Sequence, residues 1–252
     1  MARYRITVEY DGGHFSGWQR QDNAPSVQQA LEEAINGYCQ QSVTVHGAGR
    51  TDAGVHALGM VASFELTEPR PAADIPMALN AHLRPAPVAV LACAEAPDDF
   101  HARFSCLGRA YRYEILNRRA PPVLARGRVW WLPLPLNVTA MAEAATRLVG
   151  QHDFSAFRSV DCQAQSALKT LDSVQVSRDG ERVRIEVAAR SFLHNQVRII
   201  AGTLREVGHG RMNADDITRA LTSGDRTHAG PTAPPDGLYF VTAVYGDTVA
   251  DH

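Results

Sequence analysis

Apolar and polar residues alternate from the start of the chain. Arg3-Tyr4-Arg5-Ile6-Thr7-Val8-Glu9-Tyr10 is rich in β-formers and predicts a strand, which Asp11-Gly12-Gly13 ends. Ser26-Val27-Gln28-Gln29 has the form of a capping box. It opens an amphipathic helix through Leu31, Ala34 and Ile35 that is expected to stop near Asn36-Gly37. Val43–Ala48 reads as a strand, then comes the glycine-bracketed loop Gly49-Arg50-Thr51-Asp52-Ala53-Gly54. Met60–Leu66 predicts a third strand, Ala72–Leu83 a helix and Val88–Ala94 a fourth strand, before Pro97-Asp98-Asp99 breaks the pattern.

The second half repeats the theme. Ala110–Leu116 predicts a strand, and Val129-Trp130-Trp131 a short one inside a proline-punctuated stretch from Pro121 to Pro135. Val138–Val149 reads as a helix. Leu171–Ser177 and Arg182–Ala188 flank Asp179-Gly180, a hairpin signal. Asn195–Val207 and Asp215–Leu221 read as helices and Leu238–Tyr245 as the last strand. Strand, helix and strand recur in similar order in both halves. The expected fold class is α+β, with two related domains of RRM or ferredoxin-like type, mainly antiparallel sheets and a side-by-side arrangement. The domains are expected at 1–105 and 106–247, with a tail at 248–252.

Composition narrows the class. The 252 residues suit about two domains, and 45% apolar with 21% charged residues excludes a disordered, collagenous or coiled-coil chain. No apolar run approaches the roughly 18 residues of a membrane span, and the N-terminus shows no secretory h-region. Four cysteines (Cys39, Cys93, Cys106, Cys162) are spaced 54, 13 and 56 apart, which matches no metal pair or disulfide framework. Reduced thiols and a cytoplasmic location are expected.

Charge is uneven along the chain. Lys plus Arg is 25 against 27 acids, yet residues 101–130 hold seven arginines against Glu114 alone, a local +6. Residues 212–252 hold six acids and two arginines, a local −4. Such a distribution fits either a polyanion bound on one face or a salt-bridged solvent surface.

Asp52 is the leading candidate for chemistry. It sits at the tip of a loop between two predicted strands, with Gly49 and Gly54 permitting close approach to the backbone. Arg50 could hold it ionised, and an oriented carboxylate can attack an electrophilic carbon such as a sugar C1′. An Asx-turn, with Arg50 as surface partner, uses the same residues. A glycosidase would need a second carboxylate, which the sequence does not place. His46, His56 and His101 lack ligand spacing, so no metal is expected. Neither a Gly-x-Gly-x-x-Gly nor a phosphate-binding loop with Lys-Ser/Thr occurs, so no nucleotide cofactor is expected.

The stretch Gly49-Arg50-Thr51-Asp52-Ala53-Gly54-Val55-His56-Ala57 resembles the signature of the TruA family, bacterial tRNA pseudouridine synthases acting on the anticodon stem-loop. Glu9-Tyr10-Asp11-Gly12, Gly17-Trp18-Gln19-Arg20-Gln21, Asp98–Ser105, Tyr111-Arg112-Tyr113, His152-Asp153-Phe154, Phe192–Arg198 and Gly237-Leu238-Tyr239 also recur in family order. The resemblance implies isomerisation of uridine to pseudouridine at tRNA positions 38, 39 and 40, without cofactor or metal, by a homodimer whose domains share a continuous sheet. It implies Asp52 as nucleophile, Tyr111 stacking on the target base, Arg198 paired with the aspartate, and Arg50 holding the flipped nucleotide. An arginine among Val197, Ile199 and Ile200 is costly unless paired, which agrees with that role for Arg198. Arg103, Arg109, Arg112, Arg118 and Arg119 become candidate phosphate contacts. The chain departs from the pattern at Ala110 and Gln196, where a family member carries arginine and methionine; the first removes one potential phosphate contact. Attack at C1′ and attack at C6 both remain open. So do a non-catalytic RNA-binding module and a hydrolase of free nucleosides.

Overall fold

A computed structural model describes residues 1–246; the tail expected at 248–252 lies outside the described residues. The chain divides into two compact units, one formed by Met1–Gly108 with residues from Phe240 onward, the other by Arg109–Tyr239.

In the first unit, β1 (Ala2–Tyr10) buries Tyr4, Ile6, Val8 and Tyr10, every second residue, as a strand with one face on a core must. It lies between β3 (His56–Leu66) and β4 (Val88–Ala96), antiparallel to both. Tyr4 sits opposite Phe64 in the ladder, and their rings stack at 5.5 Å. α1 (Val27–Cys39) is capped by Ser26, whose Oγ accepts the Gln29 N–H at 3.2 Å. This helix runs past Asn36-Gly37 and ends at Gln40, which takes φ +58°. Gly37 serves a different purpose: a Cβ there would stand 2.8 Å from His82 Nδ1 of α2 (Ile75–Leu83). The helix expected from Ala72 starts later because Pro71 heads a turn, closed by Asp74 N–H to Pro71 O, and Pro76 takes the first helical turn.

The strand expected over Val43–Ala48 contracts to β2, His46–Gly47, paired with β3. Side chains have taken over the neighbouring backbone. Val45 N–H donates to Glu32 Oε1 at 3.1 Å, and Gln41 Oε1 accepts from the N–H groups of Thr67 and Glu68. Conversely, β3 starts at His56, four residues ahead of the predicted strand.

The second unit carries β5 (Gly108–Asn117), β8 (Leu168–Asp179) and β9 (Arg182–Ala189), with β9 antiparallel to both neighbours. β9 buries Val183, Ile185, Val187 and Ala189 in alternation. The β8–β9 hairpin turns through Gly180-Glu181, and Gly180 supplies the φ of +56° that a tight turn needs. β6 (Trp130–Leu132) runs parallel to β5. An unanticipated short edge strand, β7 (Gly150–Asp153), pairs with the start of β8; at four residues with polar Gln151, His152 and Asp153 it has no apolar alternation to betray it. α3 (Val138–Ala145), α4 (Gln196–Gly208) and α5 (Ala214–Ser223) complete the unit, and the expected helix over Val138–Val149 tightens to a 3₁₀ turn after Ala145. Phe154, Phe157, Ile185, Ile199, Ile200, Leu204 and Ile217 are fully buried in its core.

The last strand, β10 (Leu238–Val244), begins in the second unit and ends in the first. Leu107 N–H donates to Val244 O at 2.8 Å, Tyr245 OH donates to Ala102 O at 2.7 Å, and Tyr245 packs on Phe100 at 5.1 Å. These contacts tie residues from Phe240 onward to the first unit, whereas the sequence grouped residues 106–247 together. Both units are mainly antiparallel α+β assemblies, in keeping with the expected fold class. No helix of the described residues is long and apolar enough to cross a membrane.

Candidate active site

Asp52 lies in the loop between β2 and β3, half-buried between a buried Thr51 and a buried Val55. The loop closes on itself through Val55 N–H to Asp52 O at 3.1 Å. It is then clamped from outside by the segment after β1. Trp18 N–H donates to Thr51 O at 3.0 Å, and Gly54 N–H to Phe15 O at 3.3 Å. Tyr10 OH and Thr51 Oγ1 share a buried hydrogen bond of 2.9 Å. Two glycines make this approach possible. A Cβ on Gly12 would stand 2.0 Å from Val55 O, and one on Gly17, where φ is +103°, would stand 2.6 Å from Thr51 O.

The clamp is itself anchored. Trp18, 2% exposed, packs over Gly47, which explains why its indole is structural. Gln28 Oε1 on α1 accepts from Gln19 Nε2 at 2.8 Å and from Arg20 N–H at 2.9 Å. Glu32, also on α1 and buried, accepts from Gln28 Nε2 and Arg20 Nη1, both at 2.9 Å. His56, at the start of β3, is buried, accepts the Gly12 N–H at Nδ1 (3.0 Å) and lies 3.1 Å from Asp11 Oδ1. Beyond it, a register shift in the β1–β3 ladder between Val8 and Tyr10 re-aims the strand end that carries the loop. Sequence reasoning singled out Asp52 but not its supports Gln28, Glu32 and Tyr10; for Gln28 and Glu32 the available signal was a polar residue on the buried face of a helix. Arg50 is exposed.

The remaining expected site residues lie in the second unit. Tyr111 on β5 is buried, with its ring edge-on to Phe192 at 5.0 Å. Arg198, in the first turn of α4, is half-buried. Its Nε donates to Ala233 O and its Nη1 to Asn195 Oδ1, both at 2.8 Å. Asn195 adopts φ +62° at the helix start, a conformation asparagine tolerates. Gln196, one of the departures from the family pattern, accepts the Leu193 N–H at 2.8 Å, so it fastens the same turn. Burial pushes the neighbouring Tyr113 phenol well above its ordinary range while its OH donates to Pro234 O at 2.7 Å.

The candidate phosphate contacts differ among themselves. Arg112 Nε is 3.0 Å from Glu186 Oε1 and Arg118 Nη1 is 2.9 Å from Glu181 Oε2. Arg109 donates to Arg190 O at 2.5 Å, Arg103 stands 5.8 Å from the Phe104 ring centroid, and Arg119 is exposed. The local +6 of the linear sequence is therefore reduced by acids that the β5–β9 ladder brings alongside. Among the described residues, no three His, Cys, Asp or Glu side chains are grouped to hold a metal ion.

A family model described as tRNA pseudouridine synthase matches residues 6–105 and 144–246. The chain is 61% identical to tRNA pseudouridine synthase A of Rhodospirillum centenum, over 97% of this chain and 100% of the relative. It is 56% identical to the protein of the same name in Rhodospirillum rubrum, over 99% and 90%, and 53% identical to that of Rhizobium meliloti, over 97% and 100%. A solved structure titled as a Cbf5-Nop10-Gar1 complex aligns with 94% of this chain and 57% of its own at 12% identity, with a TM-score of 0.33, too low to bear on the fold. Matches of this extent define the chain as an RNA-modifying isomerase. The chain belongs to the tRNA pseudouridine synthase family.

Proposed function

We propose that this enzyme isomerises uridine at positions 38, 39 and 40 of the tRNA anticodon stem-loop, with Asp52 as nucleophile. The observation that carries the reading is the Asp52 loop, held by backbone hydrogen bonds from Trp18 and to Phe15 and by the buried Tyr10–Thr51 hydroxyl pair. So firm a mounting suits a carboxylate that must meet a carbon atom in one geometry.

The chemistry follows from the atoms. Uridine and pseudouridine are isomers, so the reaction needs no oxidant, reductant or group carrier, and the proposal includes no cofactor. The target base leaves the stem at a cost of a few kcal/mol, and stacking on Tyr111 returns part of that, at about 1–3 kcal/mol per base. Asp52 attacks the nucleotide at C1′ or at C6. The C1′–N1 bond breaks, the base turns, C5 bonds to C1′, the bond to the Asp52 carboxylate breaks, and the hydrogen of C5 leaves as a proton while N1 takes one up. Arg198, oriented by Asn195 and Ala233, serves as the cation that balances the aspartate, and Arg50 holds the flipped nucleotide. Arg103, Arg109, Arg112, Arg118 and Arg119 supply phosphate contacts. The working form in this reading is a homodimer in the cytoplasm.

The test is tritium release from unmodified tRNA transcribed with uridine labelled at C5. Wild type releases tritium to water, and Asp52→Asn loses turnover by orders of magnitude while still binding tRNA. Release by both proteins would remove Asp52 from the mechanism. Salt-dependent binding without release by either would reduce the chain to an RNA-binding protein.

A further inference from the structure

Residues 101–105 form a turn that is pinned at several points. Ser105 N–H donates to His101 O at 2.9 Å, and His101 N–H to Ser105 Oγ at 3.0 Å. Ala102 is held by Ser63 Oγ on its N–H (3.1 Å) and by Tyr245 OH on its carbonyl (2.7 Å). On this rigid mount three rings form a series. His46 lies 4.7 Å from His101, and His101 lies 4.4 Å from Phe104, tilted by 32° and 37°. Arg103 is beside the last ring. Phe104 is 77% exposed and so open to solvent. The His101 Nδ1 accepts the Arg103 N–H at 3.1 Å, and burial, then His46, holds its pKa below the ordinary range.

We propose that Phe104 is a platform on which an unpaired nucleobase of the tRNA stacks, with Arg103 placed to meet an adjoining phosphate. This deepens the reading of the chain as a tRNA-modifying enzyme and rests on it. Aromatic faces and a guanidinium beside them are the chemistry that captures a splayed base and its backbone. The turn is already ordered, so little entropy is lost on binding. A cavity of about 360 Å³ borders the histidine end of the series, where Arg3 is paired with Glu65. The series contains neither Asp52 nor Tyr111, and nothing in the reaction itself requires it.

Binding of an unmodified tRNA transcript to the full-length protein, measured by fluorescence anisotropy across a salt series, tests this. Phe104→Ala is expected to weaken binding roughly 5- to 150-fold, the range for loss of one stacked base, without changing the salt slope. Phe104→Trp should restore binding, because it keeps a π-face, and Phe104→Leu should not. Arg103→Gln should lower the salt slope by about one. Binding by Phe104→Ala within twofold of wild type would overturn the proposal. Recovery by leucine would also do so, since it would show apolar packing rather than stacking. A change in sedimentation with Phe104→Ala would instead assign the ring to contact with a second copy. Tritium release by wild type is measured alongside: if it is absent, the reading of the enzyme fails, whereas release with unaltered binding of the alanine variant sinks the platform alone.

Discussion

Gly17 shows how much of the site depends on a missing side chain. Its φ of +103° disfavours any L-residue, and a Cβ would press to 2.6 Å on the carbonyl of Thr51, next to the proposed nucleophile. Gly17→Ala is expected to cost about 1–3 kcal/mol and to lower turnover, read as melting temperature and tritium release. Gly180→Ala is the comparison, because φ is +56° there but nothing lies within 4 Å. It should cost stability without loss of turnover. Cys93 gives a second expectation. Burial, with a smaller contribution from Glu95, pushes its thiol up to about 12. The folded protein then keeps a proton that the unfolded chain releases near its ordinary value of 9.0. This contribution to stability is complete below pH 9 and is lost as pH rises towards 12. Cys93→Ala should flatten the fall in the urea midpoint over that window, and an unchanged slope would refute the assignment.

At the scale of elements, the start of α1 was legible because its signal is local. Ser26 caps α1 from the position the pattern suggests, whereas Asn213, which the pattern did not single out, caps α5 and completes a reciprocal box. Its side chain accepts from Asp215 and Asp216, and Asp216 Oδ2 accepts the Asn213 N–H at 2.9 Å. Asn213→Ala is expected to cost about 0.5–2 kcal/mol in urea denaturation. Helix ends were less legible. Asn36-Gly37 looked like a stop, but the glycine is there to admit His82, a residue 45 positions away. The strand over Val43–Ala48 failed for a similar reason, since Glu32 had satisfied the Val45 amide before a neighbouring strand could.

For the whole molecule, what counts is how charge is redistributed by folding. Seven arginines clustered in thirty residues suggested a continuous basic patch, but Glu181 and Glu186 arrive from β8–β9 to pair with two of them. Surface pairs of this kind contribute little to stability, yet they compete with phosphate. Arg119→Gln is expected to lower the slope of log affinity against log salt by about one, whereas Arg112→Gln and Arg118→Gln should each lower it by less. Equal changes for all three, measured on one tRNA over one salt range, would mean that the carboxylates are displaced on binding.

Alternation of side chains, caps and turn glycines act over a few residues, so most of the long strands, the start of α1, the β8–β9 hairpin and the Asp52 loop could be read along the chain. The resemblance of ordered motifs added the reaction class, which no local rule supplies. Folding alone decided which groups meet across long separations. It set Gln28 and Glu32 beneath Trp18 and the Asp52 loop, paired arginines with acids some seventy residues on, and drew the last strand back to the first unit through Tyr245 and Val244. Backbone donors and buried charges accept whichever partner the packed chain brings within about 3 Å, and that partner is chosen by tertiary geometry rather than by spacing in sequence.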